Sequence, residues 1–202
     1  MNKVATKFSG YAIETDYFPY TETKIRLKET NWWWNHKSRN KNQLKASNYS
    51  LDSMQSNSIG FSLENKLQNG EFNFLYYKED LILYSALRID DLRQAWIHRG
   101  ATHPILGKNH VGCAMTILMP HQARVAKSLG CLTYNISFND YNYKFFKYYK
   151  ERHYYKSLID IRGGERFMDA FKWVENITVM YVNQHIGCLD LTRSDIDDIL
   201  EI

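Results

Sequence analysis

The sequence predicts a mixed α/β fold of the α+β type, in which antiparallel strands are followed by an α/β unit. Two runs of strand-forming residues, EFNFLYY and LILYSALRI, flank a polar link of hairpin length, Lys78-Glu79-Asp80, and this spacing predicts an antiparallel pair. A glycine-containing loop, an amphipathic helix and the strand LTYNISF then come in the order of a crossover between parallel strands. A chain of 202 residues can bury one good core, so a single domain over residues 1–202 is expected.

The first seventy residues predict one strand and a helical region. A strand is expected over Val4 to Ile13, and Pro19 ends it. Residues 21–50 are polar and charged and contain three consecutive tryptophans, which favours one or two short helices joined by a loop. Residues 59–67 are apolar at helical spacing, and Asn69-Gly70 then marks a tight turn.

A third strand and a long helix follow the hairpin. The run RQAWIHRGAT should end near Thr102, because Pro104 cannot continue a central strand and restricts the residue before it. Pro120 lies close enough to the start of the following helix to be tolerated, or it kinks the helix there. Gly130 occupies the C-cap position. The apolar face of this helix is predicted to consist of Ile117, Leu118, Val125 and Leu129.

The last third of the chain predicts a second helix, a turn and further strands. The segment NDYNYKFFKYYKER predicts a helix, with Asn139-Asp140 as its cap residues. The segment IRGG predicts a turn, and FKWVENITVMYVN predicts one or two strands. The acidic run SDIDDILEI is expected to form a short surface helix or a tail.

The composition excludes several classes of protein. Aromatic residues make up 15% of the chain, too many for a disordered one. The formal charge of +4 comes from scattered Lys and Arg, which favours a solvated surface over a nucleic-acid groove. Three cysteines, Cys113, Cys131 and Cys188, form no CxxC pair, and we find neither metal-ligand spacing nor an N-terminal signal segment nor an apolar run of membrane length. We therefore expect no metal, no membrane and a reduced, cytoplasmic compartment. The abundance of Asn, Lys, Tyr and Ile hints at an AT-rich genome, viral (a phage) or bacterial.

The loop Gly107-Lys108-Asn109-His110-Val111-Gly112 is a candidate binding site. A helix N-terminus presents unpaired N–H groups and the positive end of its dipole, so a flexible loop leading into one can hold a phosphate or pyrophosphate. The P-loop pattern GxxxxGK[ST] and the dinucleotide-binding pattern GxGxxG are both absent from the sequence. The alternative is a surface connection whose glycines only turn the chain.

A resemblance to a known protein family covers about residues 71–185. It runs from FNFLYYKEDLILYSALRI through RQAWIHRGATHP, the glycine loop, AKSLG and LTYNISF to NYKFFKYYKERHYY. Its order of elements resembles the GCN5-related N-acetyltransferase (GNAT) superfamily. The resemblance implies a mixed, mostly antiparallel central sheet flanked by helices on both faces, with residues 1–70 on the acceptor side, 71–185 as the cofactor-side core and 186–202 as a C-terminal tail. In the family, the strand after the helix parts from the central strand, and the pantetheine arm of acetyl-coenzyme A lies in the gap.

The same resemblance implies an acetyl-coenzyme A site at the glycine loop. Lys108 and the backbone N–H groups of residues 109–113 would contact the phosphates. The family's Arg/Gln-x-x-Gly-x-Gly/Ala is replaced here by ILGKNHVGCA, so the arginine is missing and the glycines are spaced differently. A relative that has lost the cofactor is therefore the alternative. The implied cofactor-binding residues are Thr102, Gly107, Lys108, Asn109, His110, Val111, Gly112, Cys113 and, on the next helix, Asn142.

Acetyl transfer to an amine needs a base and a proton for the departing thiolate. The resemblance gives the second role to Tyr149, or to Tyr148 if the helix phase is one residue off. In the alternative, both tyrosines pack within an aromatic-rich helix. His98 on the central strand is the candidate base, since an imidazole titrates near neutral pH, but a single histidine of this kind can equally be structural.

Trp32, Trp33 and Trp34 cannot all face one side of a helix or strand, so at least one is expected to face outward or into a cleft. By the resemblance, this segment belongs to the acceptor site and would bind an aromatic or nucleobase acceptor. Core packing together with a protein contact is the alternative.

The predicted function is an acyl-coenzyme A dependent N-acyltransferase whose acceptor, a small-molecule or macromolecular amine, is unknown. The first rival is a non-catalytic GNAT-like interaction or phage virion-associated protein. The second is a protein that modifies or protects nucleic acid, for which the charge gives weak support. The sequence leaves the oligomeric state open, a homodimer included.

Overall fold

A computed structural model describes residues 3–17, 71–110, 112–139, 162–179 and 182–201. The strands of this described part are β1 (Lys3–Ala5), β2 (Tyr11–Tyr17), β3 (Glu71–Tyr77), β4 (Asp80–Ile89), β5 (Gln94–Thr102), β6 (Thr133–Asn139), β7 (Lys172–Val179) and β8 (Val182–Asp190). Its helices are a 3₁₀ turn (Leu106–Asn109), a π-helical segment (Ala114–Leu118) that continues as α1 (Met119–Ser128), then α2 (Arg162–Asp169) and α3 (Ile196–Leu200).

The strands are hydrogen-bonded in the order β1-β2-β3-β4-β5-β6-β8-β7. β5 and β6 are parallel, and the pairs β1-β2, β2-β3, β3-β4, β6-β8 and β7-β8 are antiparallel. The predicted mixed α+β fold with a large, mostly antiparallel sheet is therefore confirmed. The chain divides into two compact units, the first comprising Met1–Asp90 and His98–Lys108 and the second Asp91–Ile97 and Asn109–Ile202.

In the first unit, the predicted hairpin is confirmed. β3 and β4 cover the predicted runs and are antiparallel, with Tyr77 paired to Asp80 across a two-residue turn in which Lys78 has a φ of 54°. The single strand predicted over Val4 to Ile13 is wrong, because the chain forms two strands there. Gly10 has a φ of 83°, which reverses the chain between β1 and β2.

The first unit buries β3 on both faces, which explains the nearly continuous apolar run in this strand. One face holds an aromatic cluster of Phe72, Phe74, Tyr76, Tyr84, Ala86 and Ala101. The opposite face carries Leu75 and Leu87, both fully buried, interrupted by polar residues. This alternation follows from the period of two in a strand.

In the second unit, the predicted crossover is confirmed. LTYNISF forms β6, parallel to β5, after the intervening helix. Asn139, predicted as a helix cap, is instead the last residue of β6. The helix predicted after it lies outside the described residues, as do the elements predicted within residues 18–70.

The helix between β5 and β6 is present, with two differences from the expectation. It begins with a π-helical segment in which Met119 N–H bonds to the Ala114 carbonyl, and Pro120 follows at the start of α1, where its missing N–H is tolerated. Leu129, predicted on the buried face, is 52% exposed because it lies beyond the last residue of α1. Gly130 forms the predicted C-cap with a φ of 76°, and Cys131 N–H bonds to the Ala126 carbonyl at 3.0 Å.

The last third of the chain corrects two further expectations. The last three residues of the segment predicted as a turn, IRGG, open α2 instead, and the paired glycines are tolerated because Phe167 and Met168 of this helix are fully buried. Residues 186–190, predicted as part of a C-terminal tail, belong instead to β8, whereas the run SDIDDILEI contains the predicted short helix as α3, which packs on α1. Ile196, Ile199 and Leu200 are buried. These three residues lie on one face of α3 and hold the acidic segment against the second unit.

Candidate functional site

The end of β5 and the turn after it belong to the first unit and are held by His103. β5 ends at Thr102, as predicted. The backbone N–H of His103 donates to the Ile82 carbonyl at 2.8 Å, and its Nδ1 accepts from the backbone N–H groups of Ile105 (3.2 Å) and Leu106 (3.1 Å). His103 therefore fixes the direction in which the chain leaves the strand.

Gly107 packs closely against Thr102, so the first loop glycine is required by space. Its N–H donates to the His103 carbonyl at 2.9 Å, and the residue is buried. A Cβ at this position would lie 2.2 Å from Thr102 Cγ2, well inside van der Waals contact. Thr102 itself is exposed. The structure thus brings together two of the predicted cofactor residues, and of Lys108 it describes only the backbone.

The remaining loop residues belong to the second unit and lead into the helix. Gly112 has a φ of 89°, a left-handed conformation that only glycine adopts without strain. Its carbonyl accepts the N–H of Thr116 at 2.9 Å, while Cys113 N–H donates to the His110 carbonyl at 3.2 Å. His110 is buried and Asn109 is exposed. Val111 lies outside the described residues.

Thr116, which the sequence analysis missed, is the most unusual polar residue of this helix start. It is 1% exposed, and its Oγ1 has no hydrogen-bond partner among the described residues. A helical threonine ordinarily donates back to a carbonyl one turn earlier. A threonine within the first turn after a glycine loop was the available sequence signal, but nothing in the sequence distinguishes a satisfied hydroxyl from an unsatisfied one.

Burial raises the pKa of the Cys113 thiol to about 12, with hydrogen bonds from the Ala114 and Cys113 backbone opposing the shift. Burial also raises the pKa of Cys188, and the charge of Asp190 adds to the shift. Because the thiolate is the nucleophilic form of cysteine, neither side chain is an activated nucleophile at neutral pH. Cys113 therefore contributes a buried side chain to the packing and its backbone to the loop.

The parallel ladder between β5 and β6 is short. Within the second unit it comprises the three pairs Gln94–Thr133, Ala95–Tyr134 and Trp96–Asn135, whereas β6 keeps its pairing with β8 as far as Asn139. β5 itself continues to Thr102. Within the second unit, the parallel pairing of β5 with β6 therefore ends at Trp96 and Asn135.

Asn135 stands at the last pair of this ladder and ties the two strands together with its side chain. Its Nδ2 donates to the Ala95 carbonyl at 3.3 Å and to Thr133 Oγ1 at 2.9 Å. The residue is 3% exposed. Both amide hydrogens are thus used, and the side chain marks the point beyond which the parallel pairing stops.

The remaining predicted site residues are not described by their side chains. His98 lies in β5, but the structure describes only its backbone. Tyr149, Asn142 and the three tryptophans Trp32, Trp33 and Trp34 lie outside the described residues. Within the described ranges, no group of three His, Cys, Asp or Glu side chains is arranged to hold a metal ion, and no helix is long and apolar enough to cross a membrane.

Comparison with known proteins shows the fold. No protein-family model matches the sequence, and no curated protein matches it. An acetyltransferase of the GNAT family from Staphylococcus aureus is similar with a TM-score of 0.53 at 10% identity, over 90% of this chain and 100% of that one. A putative acetyltransferase from Salmonella typhimurium, solved with its cofactor acetyl-CoA, has a TM-score of 0.50 at 11% identity, covering 90% of this chain and 96% of that one. An uncharacterized protein from Bacillus halodurans has a TM-score of 0.63 at 9% identity, over 99% of this chain and 94% of that one. The chain therefore has a divergent GNAT-like fold.

Proposed function

We propose that the protein is an acyl-coenzyme A dependent N-acyltransferase that transfers an acetyl group from acetyl-coenzyme A to an amine. The observation that carries the proposal is the early end of the β5–β6 ladder at Trp96 and Asn135, while β5 continues to Thr102. The end of this ladder within the second unit is where the pantetheine arm of the cofactor would enter. The GNAT-like fold supports the same proposal, because the structures similar to this chain include the Salmonella typhimurium acetyltransferase solved with acetyl-CoA.

The residues around the loop suit the phosphate end of this cofactor. The left-handed Gly112 opens the helix, and the buried Thr116 Oγ1 has no partner among the described residues, so it can donate to an anionic oxygen. Lys108 would supply the positive charge in place of the arginine that the family carries. The proposed cofactor site comprises Thr102, Gly107, Lys108, Asn109, His110, Val111, Gly112, Cys113 and Asn142.

Bound acetyl-coenzyme A would supply the thioester, and the chain's own residues would move the protons. We assign to His98 the proton lost by the attacking amine and to Tyr149 the proton given to the departing sulfur. The raised pKa values of Cys113 and Cys188 favour direct attack by the amine over transfer through a cysteine of the described segments. The Trp32–Trp34 segment would contribute to acceptor binding.

Calorimetry with acetyl-coenzyme A tests the cofactor assignment. We expect micromolar binding, and Lys108→Glu should weaken it by about tenfold or more, which corresponds to about 1.4 kcal/mol. Lys7→Glu, the same charge change on an exposed residue before β2, should bind like the wild type. Absence of binding at millimolar ligand would exclude the enzyme, and equal weakening by both variants would show only nonspecific charge.

Turnover measurements test the role of Tyr149. Replacement by Phe removes the hydroxyl and keeps the ring, so kcat should fall by roughly 10² or more while the affinity for acetyl-coenzyme A changes little. A second variant, Tyr148→Phe, serves as the control for the helix phase. If only Tyr148→Phe loses turnover, the proton donor is Tyr148 instead of Tyr149. If the rate is unchanged in both variants, neither tyrosine is the proton donor.

A further inference from the structure

A row of polar residues crosses the first unit on the face opposite the Phe72 cluster. The register aligns Thr15 of β2 with Asn73 of β3, and Asn73 with Ser85 of β4. Glu71 lies two residues before Asn73 and therefore on the same face. Asn73 is 0% exposed, Glu71 4% and Ser85 5%. Three buried polar residues and the half-buried Thr15 are thus gathered on one face of the sheet.

Asn73 is the fixed centre of this row. Its Nδ2 donates to Glu71 Oε1 at 3.0 Å and to Thr15 Oγ1 at 3.1 Å. A side-chain amide has two hydrogens, and both are used here. Asn73 therefore orients the carboxylate but has no further hydrogen to give it.

The carboxylate of Glu71 is buried, and few hydrogen bonds offset the loss of its hydration. Its hydrogen bond from Asn73 is the one described, whereas a carboxylate has room for about four. Burial raises its pKa, and the Asn73 hydrogen bond opposes the shift only in part. No basic side chain of the described residues pairs with it. An ionised carboxylate in such surroundings is destabilising unless a cation or further donors reach it.

Ser85 supplies the second sign of an incomplete site. Its Oγ is buried and has no hydrogen-bond partner among the described residues. On its other side lies Gly100 of β5, where a Cβ would sit 3.3 Å from Ser85 Cβ and 2.8 Å from the Tyr84 carbonyl. The glycine therefore brings β5 close and places no side chain beside the hydroxyl.

We infer that Glu71 and Ser85, held by Asn73 and Thr15, form a recognition site for a primary ammonium group of the acceptor. Glu71 pairs in register with Leu87, two residues from Ser85, so Glu71 and Ser85 are diagonal neighbours about 7 Å apart. An ammonium nitrogen can lie within hydrogen-bond distance of both, since it has three hydrogens that point in different directions. Its charge neutralises Glu71, and a second hydrogen reaches Ser85 Oγ.

The assignment to the acceptor rests on the proposed function, but the site itself does not. The resemblance to the GNAT superfamily implied an acceptor segment at Trp32–Trp34 and assigned no role to Glu71 or Ser85. The chemical class follows from the site, because a buried carboxylate with a single described hydrogen bond, beside a hydroxyl that has none among the described residues, favours a small cationic donor over an anion or an apolar group.

Backbone and side-chain amide NMR of the full chain at pH 7.5 tests the inference. The probe is n-butylamine hydrochloride, and n-butanol of the same length is the neutral control. Saturable shifts are expected at the Asn73 side-chain amide and in the backbone of residues 71–75 and 83–87 with the amine, and not with the alcohol. Glu71→Gln should abolish the saturation, and Ser85→Ala should weaken binding by about threefold or more.

Thermal unfolding without ligand separates recognition from a structural role. Because the site is under-paired, Glu71→Gln and Ser85→Ala should melt at or above the wild-type temperature, whereas residues kept for stability would lower it. Unchanged amine binding in Glu71→Gln, no saturation at tens of millimolar probe, or a clear drop in melting temperature in both variants would overturn the inference. Amine binding without acetyl-coenzyme A binding would overturn the proposed function and leave the site standing, and the reverse result would remove the site alone.

Discussion

At the scale of single residues, the two glycines of the loop serve different purposes. Gly112 supplies a left-handed backbone with a φ of 89°, whereas Gly107 supplies space against Thr102. In the sequence the two positions look alike, since both punctuate the same polar stretch. A substitution at Gly107 can therefore be compensated by a smaller residue at position 102, whereas a substitution at Gly112 strains the backbone itself.

Gly107→Ala should destabilise the first unit, because the new Cβ would lie 2.2 Å from Thr102 Cγ2 and one of the two must move. Overpacking of this kind costs typically about 1–3 kcal/mol. Thr102→Ala removes the clashing methyl group, so the double variant should recover most of the loss. The free energies of unfolding in urea, taken as a double-mutant cycle, measure the coupling. Additive effects would show that the contact does not limit the position.

Residue-level chemistry is where the sequence was least informative. The glycine loop was predicted from its residue types, and the structure places Thr102 and Gly107 in contact distance. Thr116, Ser85 and Glu71 were not singled out, because their importance comes from burial with absent or incomplete hydrogen bonding inside a folded unit. A missing hydrogen bond leaves no local pattern in a sequence.

At the scale of elements, β3, β4 and β5 were predictable and α2 was not. β3, β4 and β5 follow local alternation and turn residues, so their bounds agree with the pattern to about one residue. α2 contradicts its local signal, since Gly163 and Gly164 disfavour a helix. Its stability comes from packing: Phe167 contacts Phe171 edge-on at 5.2 Å between ring centroids, and its ring lies 6.3 Å from that of Tyr134, which is distant in sequence. Tertiary packing therefore overrides propensity here.

Ile199→Ala should test whether α3 is a docked element. Ile199 is 4% exposed in a helix that contacts α1, and truncating a buried isoleucine costs about 2–5 kcal/mol. Asp198→Ala changes the neighbouring exposed residue of the same helix and should change the free energy of unfolding by less than about 0.5 kcal/mol. Urea unfolding of both variants gives the comparison. Equal, small effects would mean that α3 contributes little to the second unit.

At the scale of the whole chain, the order of the strands was only partly predictable. Antiparallel neighbours joined by short turns, such as β3 and β4, follow from sequence proximity. The insertion of β8 between β6 and β7 does not, because β8 pairs with β6 across more than forty residues, as in Tyr134–Leu189. The resemblance to GNAT proteins implied the same fold class, and the likeness to solved acetyltransferases confirms it at identities of 10–11%. Identity this low leaves the acceptor to be found from the site.

The stability of the molecule should fall in mild acid because of His121. Burial lowers the pKa of this histidine to about 4, the charge of Arg124 adds to the shift, and its Nε2 has no hydrogen-bond partner among the described residues. A lowered folded-state pKa means that the stabilisation is present above the unfolded value of 6.5 and is lost as the pH falls toward 4. The full difference corresponds to about 3 kcal/mol at about 1.4 kcal/mol per pKa unit.

His121→Gln removes the titrating group and keeps a polar side chain of similar length. Urea unfolding at a series of pH values from 7.5 to 4 should therefore give a flatter dependence in the variant, with the two curves diverging below pH 6.5. The wild type loses stability there because protonating His121 requires a charge in a desolvated position beside Arg124. Parallel curves over the whole range would show that His121 titrates as in the unfolded chain, and the acid sensitivity would then have to come from other groups.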